Sequence, residues 1–208
     1  MSEIRAFLKG RQPVTLLLIG INVIVFLVLS FMGDVQDGYF MFLHGANFTP
    51  SVIYDGEYYR WFSCMFLHFG VEHLFYNMLV LLFLGDTLEK AAGKVRYLII
   101  YLGGGVLGNA ASAAWDMFTE DFSVSAGASG CIFAVIGALV GVVILNKGKL
   151  EDYSGRRLLM MAGLSVLQGL TATGIDNCAH IGGMISGFLL ALLFHRKLTK
   201  KEWSDPIM

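Results

Sequence analysis

The sequence predicts an all-α membrane protein: a six-transmembrane-helix bundle with both termini cytoplasmic. Three observations predict it. The 208 residues are 56% hydrophobic and only 15% charged, with a mean hydropathy of +0.65, whereas a soluble surface of this size needs more charge to be wetted. Apolar runs of membrane-crossing length recur along the chain, separated by polar connections. Every lysine and arginine except Arg60 falls on one side if six spans alternate, and the positive-inside rule makes that side the cytoplasm. Dropping one span scrambles this pattern. Little chain is left for a second domain, so residues 1–208 read as a single membrane domain.

The first span, Val14–Met32, follows Arg5, Lys9 and Arg11. Its apolar stretch is too long for a cleavable signal peptide, and no small-residue cleavage site follows it. The long connection Gly33–Leu67 is too apolar for a solvated loop and too broken for a span. It reads as an interfacial or partly embedded segment, with Tyr and Trp at headgroup depth. The second span, His73–Ala91, is bordered by Lys90, Lys94 and Arg96. The third, Tyr97–Trp115, leads into an acidic connection, Trp115–Ser123. The fourth, Ala126–Asn146, is followed by the polar stretch Asn146–Arg157, with Lys147, Lys149, Arg156 and Arg157. The fifth, Leu158–Thr173, is the weakest, because Gln168 and two threonines interrupt it. The sixth, Asn177–His195, precedes Arg196, Lys197, Lys200 and Lys201.

Three G-x-x-x-G pairs, Gly104/Gly108, Gly137/Gly141 and Gly183/Gly187, lie in spans three, four and six, where small residues let helix backbones approach closely. Cys64, Cys131 and Cys178 have no metal-type spacing and read as small packing residues.

Spans two, four and six enter from the same, outer side. With outer ends near Glu72, Ser125 and Asp176, Ser129 and His180 each sit four residues in, ~6 Å along a helix. His73 and Asn77 sit one and five residues in, so all four share one shallow layer. A lone span serine usually bonds back to its own helix, but four such residues on three helices point to a site. His180, Gly183 and Gly187 share a face of span six, and Ser129, Phe133 and Ile136 make a stripe on span four with Gly137 at its edge. Contact through the glycines would bring His180 to the Ser129 hydroxyl, the arrangement that turns a serine into a nucleophile. His73 and Asn77, four apart, share a face of span two and can donate to an oxyanion together with the Ser129 N–H.

These motifs make the chain resemble a rhomboid intramembrane serine protease. "GASG" (Gly127–Gly130) is similar to the family's G-x-S-G, "HFGVEHLFYN" (His68–Asn77) to its H-x-x-x-x-H-x-x-x-N, and "AHIGGMISG" (Ala179–Gly187) to its A-H-x-x-G-x-x-x-G. The resemblance runs from about Ile19 to His195, to the minimal six-span bacterial type without soluble extensions. It implies that Ser129 is the nucleophile and His180 the general base of a dyad, with His73, Asn77 and the Ser129 amide as oxyanion hole. It implies supporting roles for Gly127, Gly130, Gly183 and Gly187, and a structural or water-binding one for His68. Phe133 stands where many members carry a tyrosine stacked on the histidine; the ring is kept, so stacking is expected. Asp176 is expected to cap its helix rather than to orient His180. Tyr59-Arg60 replaces the family's Trp-Arg, and Glu89 with Gly85 resembles its helix-anchoring inner end of span two.

The rivals are weaker. "HFGVEH" places His68 and His73 five apart, turned ~140° from each other on a helix, unlike a helical zinc motif. Asp86, Asp116 and Asp176 lie at span ends, wrong for an aspartyl protease. A transporter would need polar residues continuing inward, and none is expected to. An inactive rhomboid-like binder would have lost the serine or the histidine. The expected function is hydrolysis of peptide bonds in or beside transmembrane helices of membrane-protein substrates. The expected location is the plasma (inner) membrane, with the site opening outward. No metal, organic cofactor, nucleic acid or obligate partner is expected.

Overall fold

The computed structural model describes residues 10–145, 149, 150, 153, 154, 160 and 176–194. The predicted fifth span, Leu158–Thr173, lies outside the described residues except for Met160, as do Arg5, Lys9 and the basic run from Arg196.

Helix α1 (Pro13–Met32) starts on a proline, whose missing N–H is harmless at the first helical position. The following amides are satisfied from far along the chain. Val14 and Thr15 donate their N–H groups to the Glu89 carboxylate at 3.0 and 2.7 Å, and the Thr15 hydroxyl adds a bond of 2.9 Å. The Gln12 N–H donates to Asp86 at 2.7 Å. Glu89 and Asp86 thus fasten the start of α1, where negative charge is also favoured by the helix dipole.

The connection after α1 is a folded layer rather than a loop. It holds α2 (Gly38–Leu43), capped by the Asp37 carboxylate, then α3 (Thr49–Tyr54) and α4 (Arg60–Ser63), which runs into a tight 3₁₀ turn at Cys64–Phe66. Buried Arg60 staples it. Its Nη1 donates to the Phe42 and Ala46 carbonyls at 2.7 and 2.9 Å, Nε donates to Glu57 at 2.5 Å, and the guanidinium lies 4.2 Å over the Phe42 ring. A buried cation is tolerated because its donors are used.

The second long helix begins at Gly70, three residues before the predicted start, as α5 (Gly70–Val80). It passes through a π-helical turn, Leu81–Gly85, into α6 (Asp86–Ala92). Gly93, at φ 80°, makes the turn into α7 (Lys94–Thr119), which outruns the predicted Tyr97–Trp115 at both ends.

The fourth helix corrects the sequence reading. Residues 126–128 are not helical, and α8 (Ser129–Leu145) opens on Ser129 itself. Their backbone is engaged elsewhere. Ser125 pairs antiparallel with Asn47 through bonds of 2.8 and 3.0 Å, and the Gly127 N–H donates to the Cys64 carbonyl at 3.0 Å. Ser129 is therefore not four residues inside a helix; an unwound segment brings it in. Past α8, Lys149–Leu150 and Tyr153–Ser154 (β1 and β2) pair as a minimal antiparallel hairpin within the predicted polar connection. Helix α9 (Asn177–Leu193) follows its cap, Asp176.

Among the described residues, α1, the α5–α6 run and α7 are long and apolar enough to cross a membrane, and α8 and α9 are shorter apolar helices of 17 residues. Helix α8 is the centre: every residue from Gly130 to Val143 is buried, as befits a helix that is apolar all round. Its seam with α9 is backbone against backbone. A side chain at Gly183 would strike the Gly130 carbonyl, one at Gly187 the Ala134 carbonyl, and one at Gly137 the Met184 carbonyl. Helix α7 joins them, since a Cβ on Gly108 would lie 2.7 Å from the Ala179 carbonyl oxygen.

Polar residues are not confined to one layer, contrary to the sequence expectation. Thr15 and Glu89 are buried together at the start of α1, Tyr97 is buried near the start of α7, and Asn22 and Tyr101 are buried farther along α1 and α7. Local bonds explain part of this: Asn22 Nδ2 donates to the Leu18 carbonyl at 2.8 Å, and Glu89 holds Thr15.

Candidate active site

Ser129, as the first residue of α8, is where helix geometry leaves an N–H without an intrahelical partner. Gly127 makes the approach possible. Its φ is 149°, and a Cβ there would lie 2.8 Å from Cε1 and 3.0 Å from Nε2 of His73. Only glycine lets the His73 ring come so close to the backbone leading into Ser129.

His180 lies one turn into α9, carried to Ser129 by the Gly130–Gly183 contact. Its Nε2 is 2.7 Å from Ser129 Oγ, a hydrogen-bond distance. Phe133, one turn after Ser129, lies flat on the imidazole, with centroids 4.2 Å apart and planes 8° from parallel. His180 Nδ1 is buried and has no hydrogen-bond partner among the described residues. Asp176 does not reach it: Oδ1 accepts the Ala179 N–H at 2.8 Å and caps α9.

His73 and Asn77 come from α5. Asn77 is buried, and one of its amide hydrogens goes to the His73 carbonyl at 2.9 Å, which leaves the second free to donate. His68, buried just before α5, receives the Ala128 N–H on Nε2 at 3.4 Å, and its ring meets that of His73 edge-on at 5.2 Å. Desolvation, with His73 adding to it, pushes the His68 pKa down to about 3, so it is a neutral acceptor fixing the chain just before Ser129.

The structure thus gathers Ser129, His180, Phe133, His73, His68, Gly127, Gly130 and Gly183 at one end of the bundle, with Asn77 one turn along α5 and Gly187 deeper in the α8–α9 seam. Ser112 and Ser125 were not singled out by the sequence. The Ser112 hydroxyl donates to Asp176 at 2.6 Å and that of Ser125 at 3.3 Å. Their signal was faint, since serine in an apolar segment is commonplace. Among the described residues no group of three or more His, Cys, Asp or Glu side chains is placed to hold a metal ion.

A bundle of apolar helices closing around a partly buried serine–histidine contact defines a polytopic integral membrane protein. A profile of the Rhomboid domain matches residues 55–197. The chain is 33% identical over 190 residues to Rhomboid protease GluP of Bacillus subtilis, covering 91% of this chain and 36% of that protein. It is 34% identical to RHOMBOID-like protein 7 of Arabidopsis thaliana, over 77% of this chain and 50% of that one. It is 30% identical to Rhomboid protease AarA of Providencia stuartii, over 90% of this chain and 74% of that one. The chain belongs to the rhomboid family. It spans between about a third and a half of the first two of these relatives.

Proposed function

We propose that the chain is an intramembrane serine endopeptidase that cuts peptide bonds in or beside the transmembrane helices of membrane-protein substrates. The observation that carries this reading is the 2.7 Å separation of Ser129 Oγ and His180 Nε2 beneath the Phe133 ring. With its proton on Nδ1, His180 accepts the hydroxyl proton at Nε2 as Ser129 Oγ attacks the scissile carbonyl. The new oxyanion takes hydrogen bonds from the Ser129 N–H, the His73 ring and the free Asn77 amide hydrogen. His180 returns the proton to the departing amine, leaving an acyl ester on Ser129. Water then attacks the ester, giving its proton to His180, and the serine is regenerated. No metal or organic cofactor enters these steps.

The proposal extends to topology. One membrane domain over residues 1–208 crosses six times, both termini are cytoplasmic, and the site opens to the outer face of a plasma (inner) membrane. Transmembrane proteins are its substrates, reached from the bilayer.

Labelling with a fluorophosphonate probe tests the assignment. Wild type is expected to label, and Ser129→Ala and His180→Ala to lose both labelling and cleavage of a transmembrane substrate while staying folded by circular dichroism. Retained activity in Ser129→Ala refutes the nucleophile.

A further inference from the structure

Ser125 stands four residues before Ser129, and Asp176 four before His180. The two segments touch twice: at Ser129 and His180, and again where the Ser125 hydroxyl donates to Asp176 Oδ2 at 3.3 Å. That carboxylate has further partners. Oδ1 accepts the Ala179 N–H at 2.8 Å, and Oδ2 accepts the Ser112 hydroxyl of α7 at 2.6 Å. Ser125 is in turn paired with Asn47, whose Nδ2 donates to the Ser125 hydroxyl at 3.4 Å. One carboxylate therefore joins the start of α9, helix α7 and the unwound segment leading into α8, and through Asn47 the connection after α1.

Ser129 opens its helix and is preceded by unwound chain, which the Gly127 and Ala128 amides fasten to Cys64 and His68 but not to α9. The Ser129–His180 contact cannot hold the register itself, because it is lost whenever Oγ becomes an ester. His180 must then stay in place to activate water.

Resting on the Ser129–His180 reading, we propose that Asp176 is a positioning residue: its carboxylate holds α9 in register with the segment that delivers Ser129. It acts through the hydrogen bonds to Ser125, Ser112 and the Ala179 amide, without touching substrate.

The test is steady-state cleavage of a transmembrane peptide in detergent micelles, with fluorophosphonate labelling rates, for Asp176→Ala, Asp176→Asn, Ser125→Ala and the Asp176→Ala/Ser125→Ala pair. A loss of alignment is expected to cost Asp176→Ala ~10–100-fold in kcat with KM within ~2-fold. Asp176→Asn keeps an oxygen for the cap and a group for the hydroxyls, so it recovers most of the loss. Ser125→Ala loses ~3–10-fold and adds little on top of Asp176→Ala, as expected for partners in one contact. A folded Asp176→Ala with wild-type kcat and labelling rate overturns the proposal, as does full additivity of the pair. If Asp176→Ala does not fold, an unchanged kcat in Ser125→Ala overturns it. Absence of wild-type labelling at Ser129 instead refutes the underlying dyad.

Discussion

Phe133 covers one face of the His180 imidazole and limits its rotation about the bond to its own backbone. Stacked ring pairs contribute about 0.5–1.5 kcal/mol, so Phe133→Ala is expected to lower kcat ~2–10-fold, with Phe133→Tyr near wild type. In the proposed mechanism Asn77 is one oxyanion donor among several, so Asn77→Ala is expected to weaken cleavage ~10–1000-fold without abolishing it. A progress-curve assay on one substrate separates these cases. At this scale the sequence was legible where polar residues of three spans fell at one depth, as His73, Asn77, Ser129 and His180 do. Ser112 did not stand out, because a span serine usually bonds to its own helix, and Ser125 did not because it lies just outside the predicted span Ala126–Asn146. Only the distance to Asp176 distinguishes them.

The elements meet through glycine. Valine at Gly187 would drive a side chain into the Ala134 carbonyl, and the α8–α9 seam has no flexible side chain there to yield. Gly187→Val is expected to lose folded protein and activity together, read by thermal unfolding in detergent. Glu89→Gln replaces a carboxylate that accepts three hydrogen bonds from the start of α1. It is expected to cost about 1–3 kcal/mol of stability with a smaller effect on labelling of Ser129, which lies at the other end of the bundle. The G-x-x-x-G spacings made these contacts readable beforehand. The true start of α8 was not readable, because Ala126–Ala128 is as apolar as a helix. What unwinds it is backbone pairing with Asn47 and Cys64, residues far away in sequence.

Over the whole molecule, the proposed topology has a direct check. A green fluorescent protein fused to the C-terminus is expected to fluoresce and alkaline phosphatase fused there to be inactive; the reverse would overturn the orientation. Hydropathy made the bundle legible, while buried Asn22, Tyr97 and Tyr101 escaped it, since a window average hides single buried polar groups. The π turn at Leu81–Gly85 connects the two ends. On an unbroken α-helix Asn77 and Glu89 would point ~120° apart; the one extra residue of a π turn brings them to within ~20°. That phase slip lets a single helix face inward at both the site and the α1 anchor. The turn should therefore bear the loss of a residue better than the gain of one: a deletion leaves Asn77 and Glu89 at the regular α-helical spacing that keeps them ~20° apart, whereas one inserted residue would turn one of them ~100° away from the bundle.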